Sequence, residues 1–124
     1  MEYDKANYVP PAPSVDVSVS KPYSEESRKQ RGKLDTGADI SVIPFGFVRE
    51  LGLVPARKLL ARGYDGREGS VTTYYVNMSI QEFSFELVEV AATPRIDVLL
   101  GRDILNRLKM LLDGKALSFE LQDP

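Results

Sequence analysis

The chain has no cysteine, no histidine and no tryptophan among its 124 residues. Without cysteine there are no disulfides, no thiol nucleophile and no thiolate metal site. Without histidine every mechanism that uses imidazole as the base is excluded, and so are the common zinc ligand sets. An enzyme built from what remains moves protons with carboxylates, lysine or tyrosine. Charge of one sign is lacking too, since 16 basic residues meet 18 acidic ones for a net charge of −2. That balance gives no global reason to expect nucleic acid. The small basic run Arg28, Lys29, Arg31 and Lys33 has no interleaved aromatics and reads as a solvated segment. No apolar run approaches membrane-spanning length. The start, Met1-Glu2-Tyr3-Asp4, lacks the basic and apolar regions of a secretory signal, so the cytoplasm is the expected address of a complete chain.

What is present reads as one small domain of mostly short strands. Val9-Pro10-Pro11-Ala12-Pro13 makes residues 1–14 an irregular, flexible, proline-rich arm, and residues 15–124 the domain proper. Val15, Val17 and Val19 alternate with polar residues at strand period. Residues 21–32 read as a polar connection, and 40–44 as a short strand. Residues 45–52 form a helix with Phe47, Val48 and Leu51 on one face and Gly52 as its stop. A hairpin runs from 59–64 through Asp65-Gly66 into 70–80, Asp-Gly being a favoured two-residue turn. Strands follow at 83–90 and 95–100, then a short helix capped by Asp103, then a last hairpin of 110–113 and 116–121 about Gly114-Lys115. With no βαβ alternation, the expected class is all-β, a small closed or nearly closed barrel with two short helices. No internal repeat is visible, so a symmetric site would need two chains.

Two segments carry chemistry, Leu34-Asp35-Thr36-Gly37-Ala38-Asp39 and Val98-Leu99-Leu100-Gly101-Arg102-Asp103. An Asp-Thr-Gly triplet arises by chance in roughly one chain in forty of this length, so its setting matters more than its occurrence. Asp35 at a strand end can reach a partner carboxylate. Gly37 lets main-chain N–H groups approach it, and Thr36 offers a hydroxyl that both donates and accepts. Two such carboxylates placed together share a proton and can activate a water between them. One triplet per chain therefore predicts a homodimer with the site on its two-fold axis. Asp35 is the candidate catalytic residue. A turn role for Asp35 and Mg²⁺ held between Asp35 and Asp39 are the other readings, and no further oxygen ligand stands at compatible spacing for the second.

On these residues the chain resembles the retroviral-type aspartic proteases, and is most similar to single-domain bacterial members of that group, from about Val15 to Leu121. Asp35-Thr36-Gly37-Ala38 resembles the catalytic loop, and Val98-Leu99-Leu100-Gly101 the apolar element that supports it. The resemblance implies one lobe of the site per chain and an ion pair between Asp39 and Arg102 bracing the loop. It implies a flap at Gly63, Tyr64, Asp65 and Gly66 that closes over an extended peptide in largely apolar subsites. No metal or organic cofactor is implied. The chain departs from the pattern at Gly32-Lys33-Leu34, where only one apolar residue precedes Asp35, which suggests a frayed or solvent-facing strand. It departs again at the flap tip, where Asp65, Arg67 and Glu68 are polar. The implied activity is peptide-bond hydrolysis by a homodimer. A non-catalytic dimerisation or peptide-binding module on the same fold is the other function these residues allow.

Overall fold

The computed structural model describes residues 1–62 and 68–123. The fold is all-β, as the pattern of short alternating segments predicts. Its elements are β1 (Ser14–Ser20), β2 (Ser27–Leu34), β3 (Val42–Pro44), α1 (Phe45–Leu51), β4 (Pro55–Arg62), β5 (Glu68–Ile80), β6 (Phe83–Thr93), β7 (Val98–Leu100), α2 (Arg102–Leu105), β8 (Lys109–Asp113) and β9 (Ser118–Gln122). The main sheet runs β1-β2-β7-β3-β6-β5-β4, and a further β1–β5 pairing closes six of these strands into a barrel with β4 outside the ring. Inward side chains fill the barrel, with Val17, Val19, Ile43, Val76, Ile80, Val90, Val98, Leu100 and Ile104 all fully buried. Burial of this apolar surface is the main favourable term holding so small a domain together.

β2 corrects the expected polar connection and the expected frayed strand. It pairs residue for residue with β1, Ser14 opposite Lys33 through Ser20 opposite Ser27. Its alternation is hidden because Arg28 and Gln30 occupy the first two inward positions and Gly32 the third, leaving only Leu34 as an apolar signal. Gly32 is required there: a Cβ would stand 2.4 Å from Val17 Cγ2, so the valine of the neighbouring strand fills the space a side chain would take. Lys29, Arg31 and Lys33 lie at outward positions, Arg28 pairs with Glu50, and the strand forms because its partners supply the hydrophobicity.

Two pairings are parallel, β2 with β7 and β3 with β6, while β3 and β7 meet antiparallel through Val42 and Leu99. This interlock sets the ends of β2 and β7 side by side. α1 ends as expected at Gly52, whose φ of 64° is the left-handed conformation that glycine adopts without steric cost. α2 differs from expectation. Its N-cap is Gly101, and Asp103 lies inside the first turn, where its carboxylate is engaged elsewhere.

Residues 1–14 have little regular structure, as their prolines dictate, yet they are tied down. Tyr3 N–H donates to Leu117 O at 2.8 Å and Phe119 N–H to Met1 O at 2.8 Å, so the first residues lie along β9. Asp4 closes the loop that follows. Its Oδ1 accepts from the Ala6 and Asn7 N–H groups, and its Oδ2 accepts from Asn7 Nδ2 and from the Ser14 hydroxyl. These donors hold the Asp4 carboxyl below its ordinary pKa. Among the described residues no helix is long and apolar enough to cross a membrane.

Candidate active site

β2 ends at Leu34, and Asp35 extends the ladder by one bond, its N–H donating to Leu100 O at 2.9 Å. The chain then reverses in a turn closed by Ala38 N–H on Asp35 O at 3.2 Å, with Thr36 and Gly37 at its exposed corner. Inside this turn the Gly37 N–H donates to Asp35 Oδ1 at 2.9 Å, which fixes the orientation of the carboxylate. Asp35 is half-buried at the mouth of the turn, and no other described side chain claims its oxygens. The carboxylate is held by one oxygen and available at the other.

The turn is supported from β7 and α2. Arg102 N–H donates to Ala38 O at 2.9 Å, and its Nη1 donates to Thr36 O at 2.6 Å. Arg102 Nη2 also meets Asp39 Oδ1. That ion pair is open to water, Asp39 being 86% exposed, so it contributes under about 1 kcal/mol and the charge-assisted bond to Thr36 O does more to fix the turn. Gly101 makes the approach possible. A Cβ at that position would lie 2.9 Å from both Ala38 O and the Ile40 carbonyl carbon, atoms of the main chain that cannot step aside.

Sequence reasoning missed Ser41. Fully buried, it makes four hydrogen bonds to three residues in the space behind the turn. Its hydroxyl donates to Asp103 Oδ1 at 2.8 Å and accepts from Gly101 N–H at 3.0 Å; its N–H donates to Asp103 Oδ2 at 3.0 Å, and its carbonyl accepts from Ala91 N–H at 3.0 Å. Asp103, expected as a helix cap, is thus the anchor that locks the two motif segments together. The one available signal was a serine between Ile40 and Val42 in an otherwise apolar strand.

The structure therefore brings together Asp35, Thr36, Gly37, Ala38, Asp39 and Arg102. Gly63, Tyr64, Asp65 and Gly66, where the resemblance implies a flap, lie outside the described residues. Among the described residues no three His, Cys, Asp or Glu side chains converge as a metal site would need.

The barrel is shared with a solved viral protein. The foamy viral protease-reverse transcriptase, solved with an RNA/DNA hybrid, matches at 21% identity and a TM-score of 0.58 over 77% of this chain and 12% of that one. A second structure of that protein, with double-stranded DNA, matches at 22% identity and 0.57 over 78% and 16%. The chain thus spans only a small part of the foamy viral protein, and the likeness is one of fold. EIAV protease in complex with an inhibitor matches at 26% identity over 77% of this chain and 86% of that one, with a TM-score of 0.49. No curated protein matches the sequence. The sequence model of the aspartyl proteases matches residues 23–104, a span that holds both motif segments and the strands between them. The chain belongs to the aspartyl protease family.

Proposed function

We propose that the chain is an aspartic endopeptidase that works as a homodimer, each copy supplying one Asp35. The observation that carries this reading is the state of Asp35: one oxygen held by Gly37 N–H, the other free, on a turn whose Thr36–Gly37 corner is exposed and able to meet a second copy. Two such carboxylates a few ångströms apart cannot both ionise cheaply, and aspartic proteases as a class share one proton between them. The ionised member takes a proton from the attacking water while the protonated member donates to the scissile carbonyl oxygen. Collapse of the resulting diol breaks the C–N bond as the leaving amine takes up a proton. Thr36 braces one loop against its twin, and Arg102 with Ser41 and Asp103 keeps both turns in shape. Membership of the aspartyl protease family supports the chemistry, and the peptide is expected to lie extended between the carboxylates and the segment at 63–66.

The test is cleavage of a mixed peptide library across pH by the wild type and by Asp35→Asn. The expected result is a bell-shaped profile, as two coupled carboxyl groups require, and a loss of about 10³-fold or more in the variant with folding unchanged. Cleavage that survives in Asp35→Asn contradicts the reading. A folded dimer that binds peptides and cleaves none at any pH would make the chain a binding module on a protease fold.

A further inference from the structure

The alternation of β2 turns Gly32 and Leu34 into the core and sends Arg31 and Lys33 to the opposite face, and the half-buried Asp35 follows one residue past the strand's end, its N–H on Leu100 O. On the neighbouring strand Lys33 stands beside Leu99, with Ile96 and Asp97 just before β7. The arm crosses to this same face. Tyr8 donates its hydroxyl to Asp97 Oδ2 at 2.5 Å, and the Lys33 ammonium sits 5.5 Å from the centre of the Tyr8 ring. Burial and the Asp97 carboxylate hold the Tyr8 phenol well above its ordinary pKa, so it stays a neutral donor.

The other charges on this face are committed. Arg95 binds Asp97 at 2.7 Å. Arg31 binds Asp16 at 3.1 Å, the Ser14 hydroxyl at 2.6 Å and, more loosely, Asp4. Lys33 has no carboxylate within 4.0 Å among the described residues, and an aromatic face is its one cation partner. It is half-buried and two residues from Asp35, about 6.6 Å along a strand, which is the spacing between successive same-side residues of an extended peptide.

We propose that Lys33, held over the Tyr8 ring, makes the cleft beside Asp35 select an acidic peptide side chain next to the scissile bond. This rests on the peptidase reading above and departs from the apolar subsites expected from resemblance. A substrate carboxylate would meet an ammonium already partly stripped of water and already positioned, so less is lost on pairing than at an open surface. Ile96, 85% exposed, and Leu99 offer apolar contact to the methylene groups of such a side chain. The preference requires an ionised carboxylate and so fades below the ordinary glutamate pKa of about 4.3.

The experiment uses fluorescein-labelled mixed-sequence octapeptides with Glu, Gln or Leu fixed at one of the four central positions. Cleavage by the wild-type chain and binding to the Asp35→Asn chain by anisotropy are both read at pH 5.5, at low and high salt. At one position Glu is expected to exceed Gln by about fivefold or more, with the margin shrinking in salt. Lys33→Met abolishes the margin while Leu peptides are still used, and Lys33→Arg keeps most of it. Equal use of Glu and Gln at all four positions, or a margin intact in Lys33→Met, overturns the proposal. A Lys33-dependent margin in binding without any cleavage would uphold the acidic selectivity beside Asp35 and overturn the peptidase reading on which its place next to a scissile bond rests.

Discussion

Two irregular segments of this molecule, the turn at residues 35–41 and the arm at residues 1–13, are both held by side chains reaching main-chain groups, and they are held differently. Besides the partly exposed Arg102, the turn is fastened from behind by buried groups: Ser41 is fully buried, and Gly101 packs against the turn's carbonyls with no room for a methyl group. The loop of the arm is gathered by one carboxylate, Asp4, itself only 8% exposed, whose bonds to the Ala6 and Asn7 groups lie at the surface. Buried, mutually satisfied polar groups are costly to disturb, because a lost partner leaves another group stranded. Exposed ones exchange with water at little cost. The difference suits the two tasks. On the function proposed above, a reactive carboxylate needs a fixed position, while a segment beside the bound peptide needs only to be mostly in place.

The sharpest way to break that contrast is Ser41→Ala. It strands the buried Gly101 N–H and takes one of two donors from Asp103 Oδ1, while Oδ2 keeps the Ser41 N–H, a loss of about 1–3 kcal/mol. Thermal unfolding should show a Tm lowered by several degrees, and peptide cleavage should fall with it as the turn loosens. A Tm equal to wild type would mean that water replaces the hydroxyl and that the turn is not fastened as described. Asp4→Ala makes the smaller disturbance. Its expected mark is faster protease cutting within residues 5–12, read by limited digestion and mass spectrometry, with the barrel's Tm nearly unchanged. Because Tyr8 rides on this loop, the same variant should also weaken the Glu-over-Gln margin. An arm as resistant as wild type would show that the contacts along β9 and at Asp97 hold it without Asp4.

How far the sequence could be read follows the same division between local and distant causes. The turn was legible because its chemistry is packed into four consecutive residues, Asp35 to Ala38, and Gly101-Arg102 announces the element behind it. The all-β class was legible from the valines of β1 and the Thr- and Tyr-rich β5. β2 was not, because its inward positions hold Arg28, Gln30 and Gly32, and the space at Gly32 is filled by Val17 and Leu100 from other strands. The parallel pairings of β2 with β7 and β3 with β6 join segments about fifty or more residues apart, and no local pattern encodes them. Asp103 looked like a helix cap since Asp before an apolar run usually is one; its real partner, Ser41, lies 62 positions away. Tyr8 meets Asp97 across 89 positions, so nothing near either residue foretold the contact.

The central claim is that one site needs an Asp35 from each of two chains. Its most direct test is to mix wild-type protein with increasing amounts of the Asp35→Asn chain and to follow peptide cleavage per wild-type chain. The account predicts a progressive fall towards zero as wild-type chains are drawn into mixed dimers carrying a single carboxylate. Activity per wild-type chain that stays constant through a large excess of the variant, with mixed dimers shown to form, would contradict it.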